Sequence, residues 1–407
     1  MTNVESSQAR HTFVDLGMTP FANAYLTQDQ TNEPENFYPL HAKVREPDLL
    51  VQLGFFASPQ ILFEDYAYFS SYSDTWLEHV RRYTDSMVER FSLDGDHQVI
   101  EVASNDGYLL KYFQQHGIPC LGIEPAANVA EVAQQQGIPT LTEFFGVETA
   151  RSLAAEGTHA DLLIGNNVLA HVPDLDDFIS GVRLILKPSG VFTMEFPHIL
   201  NLIAENQFDT IYHEHFSYFS FYSVKQLFAK HDLTLFDVEE IPTHGGSLRI
   251  YGRHRLAEQI TVTGRVAQLE MKEAGAGLTK LETYLRFDEQ AKTAKRNLLG
   301  FLIDLKERGK TIVGYGAPAK GNTLLNYCGV GVDMLDYTVD RSPHKQGLVL
   351  PGTHIPIFHP DEIRRTRPDY VLILPWNLKD EVMAQMAHVQ EWDARFVVPI
   401  PEVQVLS

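Results

Sequence analysis

The 407-residue chain carries 53 Asp and Glu against 33 Lys and Arg, a formal net charge of -20, which excludes the clustered basic surface that a sequence-independent grip on DNA or RNA needs. The length exceeds one ordinary core and fits two or three domains, while two cysteines, Cys120 and Cys328, support neither a disulfide framework nor a thiolate metal site. The polar start Met1 to His11 lacks the apolar core of a signal peptide, and no apolar run approaches the roughly 20 residues that span a bilayer, so a soluble cytoplasmic protein is expected.

From Thr12 to about Tyr72 the chain is rich in Pro, Asn, Phe and Tyr, with short strand-like pieces such as Leu49 to Leu53 and no helical period. It reads as a small irregular first domain over 1–75. A helix is predicted from Trp76 to Phe91. Gln98 to Ala103 follows as a buried strand that ends in Ser104, Asn105, Asp106 and Gly107 before a helix. Candidate strands at Cys120 to Ile123, Leu162 to Gly165, Val191 to Glu195 and Leu233 to Val238 alternate with helices, the signature of a parallel sheet with crossover helices over 76–258. From Val262 to Arg308 a charged, Leu-spaced stretch without proline predicts one or two long linking helices. Thr311 to Gly316, Tyr337 to Asp340 and Tyr370 to Leu374 then open a second alternating block, so 259–407 reads as a helical linker and a C-terminal Rossmann-like domain. The fold class is α/β, a small irregular N-terminal domain plus two Rossmann-like parallel-sheet domains.

The first strand of an open α/β sheet ends at the crevice where ligands bind, so Glu101 and the turn Ser104–Gly107 are expected to face a cofactor. A dinucleotide site wants three glycines for backbone approach to a pyrophosphate, and this turn has only Gly107. S-adenosylmethionine has no phosphate. Its ammonium and sulfonium suit carboxylates near the turn, its carboxylate suits backbone amides, and one glycine suffices. The second strand ends in Glu124 and Pro125, with the acid close to the ~20-residue offset of a ribose-hydroxyl acceptor. Asn166 and Asn167 close another strand, where their amides are placed for the adenine or methionine portion. The bland alternative is that these residues cap strand ends in some other Rossmann-like protein.

Asn206 to Phe219 packs two histidines, two acids and tyrosines into one span without a basic residue. Methylating a carbon next to a ketone needs a base for the C–H proton and a donor for the enolate oxygen, roles that a histidine and a tyrosine hydroxyl fill. Zinc is the rival reading of His213, Glu214 and His215, but i and i+2 share a face only in a strand and no third His or Cys follows at zinc-site spacing. A surface loop with satisfied histidines is the other. Tyr66 and Tyr72, in a tyrosine-rich run, line a pocket or simply pack in a core. His171, His213, His244, Gly245 and Gly246 are candidate acceptor contacts. The turn from Gly314 to Asn322 is able to cradle phosphate with backbone amides and Lys320, Asn322 lying beside it. A diphosphate of the substrate is one ligand for it, and a fold without ligand the alternative.

Together Glu101–Leu110 (EVASNDGYLL), Gly122–Ala130 (GIEPAANVA), Gly165–Leu175 (GNNVLAHVPDL), Tyr212–Ser220 (YHEHFSYFS), His244–Arg249 (HGGSLR) and Gly314–Tyr327 (GYGAPAKGNTLLNY) closely resemble the sugar C-methyltransferase family, from His11 to near the end. That family includes enzymes that place a branching methyl on dTDP-linked 4-keto-deoxysugars during antibiotic sugar biosynthesis. The resemblance implies S-adenosylmethionine as cofactor and a nucleotide-sugar acceptor. It also implies a base at His215 assisted by Tyr212, Glu214 and Tyr66. The family's N-terminal domain carries two C-x-x-C pairs for structural zinc. Here the first pair is absent and the second pair's positions hold Arg45 and Asp48, so no metal is expected and the domain is held by packing, with an Arg45–Asp48 charge pair that at a surface contributes only ~0 to 1 kcal/mol. The altered domain keeps a second reading open, a methyltransferase of this fold acting on a non-sugar small molecule.

Overall fold

The structure is a computed structural model that describes residues 9–55, 58 and 74–407. The chain packs into two compact units, one from Met1–Phe55, Ile199–His215 and Lys280–Ser407, the other from Phe56–His198 and Phe216–Thr279.

In the first unit β1 (Arg10–Thr19), β2 (Tyr38–Arg45) and β3 (Val51–Leu53) pair antiparallel in that order. Leu40, Ala42 and Val44 alternate with less buried residues along β2, the two-residue period of a sheet covered on one face. Phe13 of β1 stacks on Phe287 with centroids 4.6 Å apart. Phe287 opens the helix Phe287–Glu307, whose buried Phe287, Ala291, Leu298, Leu302 and Leu305 form an apolar stripe. The Arg45–Asp48 pair forms as expected but is not a surface pair. Arg45 Nε donates to Asp48 Oδ1 at 3.1 Å and an Nη to Oδ2 at 2.5 Å, with only 17% and 9% of the two side chains exposed. Asp48 also accepts the Leu50 amide at 3.3 Å, which closes the β2–β3 connection.

The same unit holds a second sheet, ordered β14 (Ile357–Phe358), β13 (Thr338–Val339), β12 (Ile312–Tyr315), β15 (Tyr370–Ile373), β16 (Arg395–Val398), β17 (Gln404–Leu406). It is parallel except for the antiparallel edge strand β17. Every residue of β12 is buried, as expected for a strand covered on both faces. The chain leaves β12 toward β13 and returns on its other side as β15, so a switch point lies at the carboxyl ends of β12 and β15.

The second unit is a seven-stranded sheet ordered β10 (Leu233–Ile241), β11 (Ser247–His254), β8 (Leu186–Pro197), β7 (Ala160–Asn166), β4 (Val99–Val102), β5 (Cys120–Ile123), β6 (Thr140–Leu141). β6 through β8 run parallel, with the switch point between β4 and β7. The predicted strand at Leu233 is present but not parallel. β10 pairs antiparallel with β11, and β11 antiparallel with β8, because the turn between β10 and β11 is tight: His244, Gly245 and Gly246 have φ of 56°, 89° and 104°, a left-handed run that glycines adopt without steric cost. A two-residue β9 (Ser217–Tyr218) precedes the helix Phe221–Ala229, where Ser220 and Ser223 form a capping box.

The backbone of β11 lies directly on Phe192, which stacks on Phe228 at 4.9 Å. A Cβ at Gly252 would stand 1.9 Å from the Phe192 ring. Gly252→Ala is therefore expected to lower unfolding stability by about 1 to 3 kcal/mol through overpacking. Chemical denaturation measures it, and an unchanged midpoint would contradict the packing.

Candidate active site

The carboxyl end of β4 in the second unit gathers most of the residues expected to hold the cofactor. Glu101, Asp106, Glu124, Ser104 and Asn166 are all at least 93% buried. Asn105 sits at φ 50° and Gly107 at φ 76°, and a Cβ on Gly107 would stand 2.8 Å from Ile138, so that position requires glycine. Ser104 fits because Gly122, opposite, has no side chain, a Cβ there falling 2.4 Å from the serine hydroxyl. Glu124 shapes the turn. Its two oxygens accept the amides of Asn105 at 3.0 Å and Ala126 at 2.9 Å, each keeping a lone pair for a hydroxyl donor. Pro125 follows it at the turn. Asn167 closes β7 with φ 56° and donates its amide to the Glu195 carbonyl at 2.8 Å.

Burial, then the neighbouring Glu124 and Asp106, hold Glu101 well above the ordinary carboxylate range, and burial likewise raises Glu124 against the pull of the Ala126 and Asn105 amides. Acids packed together in a buried crevice favour a cation. The side-chain amide of Asn166 and the hydroxyl of Ser104, both buried, have no hydrogen-bond partner among the described residues, so the crevice also offers neutral donors and acceptors. This donor set fits the ammonium, sulfonium and carboxylate of S-adenosylmethionine.

A second buried network lies beside it and escaped the sequence reading. Glu195 on β8, in register with Asn166, is fully buried and paired with Arg249 of β11 at 2.6 Å and with His79 at 3.1 Å. Burial opposes its ionisation, but His79 and Arg249 outweigh it and lower its pKa. Trp76 stacks on His79 at 4.9 Å and meets His244 edge-on at 5.4 Å. Opposite charges inside two otherwise apolar strands were the available signal. Gly246, beyond His244 and Gly245, gives its carbonyl to the His198 amide at 3.0 Å. His171, half-buried, ends the short helical turn Leu169–His171 after β7.

The residues expected to form the reaction centre, Tyr212 to His215, belong to the first unit. Ile199–Ala204 is a short helix, Phe208–Thr210 a single turn, and the chain then bends so that Tyr212 and His215 face each other, ring centroids 4.1 Å apart. The Tyr212 hydroxyl lies 2.9 Å from His215 Nε2, and His215 Nδ1 lies 3.0 Å from the Thr210 carbonyl. A carbonyl only accepts, so Nδ1 carries the proton in the neutral ring and Nε2 is the basic nitrogen, accepting from Tyr212. His213 is enclosed by Phe21, Tyr38 and Phe55, centroids 5.2, 6.0 and 6.4 Å away. Burial pushes it down to about 4, opposed by the backbone of Pro39 and Tyr38, so it is a neutral ring near pH 7. Burial pushes Glu214 up to about 7, opposed by Asn23, whose amide donates to Oε1 at 2.6 Å, and by Lys345.

Lys320 stands at the β12–β15 switch point, 4.5 Å over the Trp376 ring, donating to Asn377 Oδ1 at 2.9 Å. Asp209, fully buried, accepts Trp376 Nε1 at 2.7 Å, and burial raises it to about 6 against the pull of Lys320. Asn322 is 2% exposed and donates to the Ala22 carbonyl at 2.6 Å. Tyr66 and Tyr72 lie outside the described residues.

Residues 242–401 match the family described as a C-methyltransferase C-terminal domain, 76–238 a methyltransferase domain and 6–63 a putative zinc binding domain. The chain is 36% identical over 394 residues, 97% of its length and 94% of the relative's, to the C-methyltransferase NovU of Streptomyces niveus. A shorter likeness, 28% over 95 residues and covering 23% of this chain and 38% of the relative, links it to a ubiquinone biosynthesis O-methyltransferase of Bartonella bacilliformis. Among solved structures, the PH0226 protein from Pyrococcus horikoshii OT3 aligns with TM-score 0.38 at 16% identity, over 49% of this chain and 100% of that chain.

A four-cysteine zinc site does not fit residues 6–63. Both cysteines lie beyond the matched segment 6–63, and no group of three or more His, Cys, Asp or Glu among the described residues is placed to hold a metal. The Arg45–Asp48 pair stands where the family resemblance puts the second cysteine pair. Exhaustive chelation is accordingly expected to leave the melting temperature unchanged. Asp48→Ala, which strands the Arg45 charge, is expected to cost about 1 to 3 kcal/mol, read by thermal denaturation; a loss of stability on chelation would reverse this. In the other unit, Glu101→Gln is expected to weaken S-adenosylmethionine binding about ten- to a hundredfold, one charged hydrogen bond. Because a cation lowers the raised pKa of Glu101, wild-type binding releases protons and tightens as pH rises. Calorimetry in buffers of different ionisation enthalpy that found proton uptake would refute it.

Proposed function

We infer the reaction from the premise that the chain belongs to the S-adenosylmethionine-dependent C-methyltransferase family: it methylates the carbon alpha to the ketone of a nucleotide-linked 4-keto-deoxysugar. The Tyr212–His215–Thr210 chain of hydrogen bonds carries this reading. A carbon acid needs a neutral base of defined tautomer beside a hydroxyl donor, and this geometry supplies both.

Bound S-adenosylmethionine supplies the electrophilic methyl, held by Glu101, Asp106, Glu124 and the asparagines that close β7. His215 Nε2 removes the alpha proton. When the ketone oxygen takes over the Tyr212 hydroxyl, Nε2 is released from that hydrogen bond at the moment its lone pair is needed, and the hydroxyl steadies the enolate. The Thr210 carbonyl then stabilises the imidazolium through Nδ1–H. Glu214 orients a sugar hydroxyl, and Tyr66 assists in the manner the family resemblance implies. Lys320, at the mouth of the C-terminal switch point, meets the diphosphate; the nucleotide is dTDP. The work is cytoplasmic and serves deoxysugar biosynthesis for an antibiotic.

Exchange of the acceptor's alpha proton in deuterated water is expected to vanish in His215→Ala and turnover to fall about 100- to 10,000-fold; undiminished exchange would move the base elsewhere. Thermal shift with S-adenosylmethionine and with dTDP, UDP and GDP tests the acceptor through linkage. A rise with the cofactor and with dTDP is expected, whereas no rise with any nucleotide would replace the sugar by another small molecule.

A further inference from the structure

We propose that Asn23 is a positioning residue of the reaction centre: its side-chain amide holds the Glu214 carboxyl in place and makes the loop after β1 part of the active site. The proposal rests on the reading of Glu214 as a group of that centre.

The geometry is specific. Asn23 Nδ2 donates to Glu214 Oε1 at 2.6 Å, across 191 residues of sequence. Glu214 is 7% exposed, so a protein donor at its carboxylate stands where water would otherwise be. An amide N–H can only donate, and donation favours the ionised form. The amide's other end faces the Tyr25 hydroxyl, 3.4 Å from Asn23 Oδ1, and that hydroxyl donates to the Ala317 carbonyl at 2.6 Å. The carboxylate of Glu214 only accepts when ionised, so it is the Nδ2 end of Asn23 that meets it.

The loop that carries Asn23 is fastened at three further points, all within the same unit. Asn322 donates to the Ala22 carbonyl at 2.6 Å, Leu26 and Val349 exchange amide hydrogen bonds at 3.2 and 2.9 Å, and Lys345 donates to the Ala317 carbonyl at 2.8 Å, its ammonium 5.2 Å from the Tyr25 ring. The Ala317 amide is in turn held by Asp340 at 2.8 Å. A side chain held by so many anchored neighbours is placed well enough to orient a catalytic group. Asn23 of the loop and Lys345 of the turn after β13 act on Glu214, and Glu214 acts in turn on Tyr25, with Tyr212, His213 and His215 beside it in its own segment. Burial raises Glu214 to about 7, and Asn23 and Lys345 both pull it down. Removing the amide donor moves it higher, and a second carboxylate in its place moves it higher still.

The pH dependence of kcat/KM in the full-length enzyme tests this with wild type, Asn23→Leu, Asn23→Asp and Glu214→Gln. The wild type is expected to gain activity with rising pH through a limb near pH 7 as Glu214 ionises. Asn23→Leu is expected to move that limb up by about one unit, a tenfold loss of kcat/KM below it, and Asn23→Asp, of the same shape, by more. Should the leucine variant fail to fold, the aspartate variant carries the test. A limb that vanishes in Glu214→Gln yet stays in place in both Asn23 variants overturns the role of Asn23 alone. A limb that survives in Glu214→Gln removes Glu214 from the reaction centre and the role of Asn23 with it.

Discussion

A histidine ring accepts a proton only through the nitrogen that carries none, and at His215 a backbone carbonyl decides which one that is. Thr210 takes the Nδ1 proton of His215, Nε2 is left basic, and Tyr212 covers it. Around this small arrangement the rest of the first unit is organised. The short turn at Phe208–Thr210 aims the carbonyl, aromatic rings from the N-terminal sheet enclose His213, and the loop after β1 reaches the neighbouring glutamate. Loss of any of these disturbs an orientation rather than a functional group, and orientation is what general-base catalysis is most sensitive to.

The strongly acidic composition is handled in two opposite ways. At the carboxyl end of β4, Glu101, Asp106 and Glu124 are buried together, and burial with the neighbouring acids raises Glu101 and Glu124, a surrounding that invites a cation. Two strands away, on β8, Glu195 is equally buried but answered by Arg249 and His79. Gathering buried carboxylates in one place is costly, and a bound cation offsets that cost. The contrast between the two clusters therefore separates carboxylates suited to a ligand from those suited to a scaffold.

Much of the fold was legible because parallel strands buried on both faces appear as continuous apolar runs. Cys120–Ile123 was read to the residue, and β4, β7, β12 and β15 to within a residue or two at each end. Direction was not legible: the apolar run at Leu233 carries no sign of which way its partner points, and only the turn at His244–Gly246 makes β10 and β11 antiparallel. Tyr212 and His215 were legible as a dense cluster in a short span. Asn23, Tyr25 and Lys345 were not, being single polar residues in unremarkable stretches whose meaning arises only when chain ends hundreds of residues apart are packed together. Arg45 and Asp48 stood out as a pair, but not their burial, which depends on how the strands β2 and β3 close over them.

That ion pair has a chemical consequence. A domain closed by thiolates and a metal is opened by peroxide, by alkylating agents and by competition for zinc, whereas a guanidinium–carboxylate fork is inert to all three. The two thiols the chain does possess are buried, and burial pushes Cys120 up to about 11 and Cys328 to about 12, too high for either to react as a thiolate. At the β2–β3 connection the fold thus rests on groups that neither oxidants nor chelators attack.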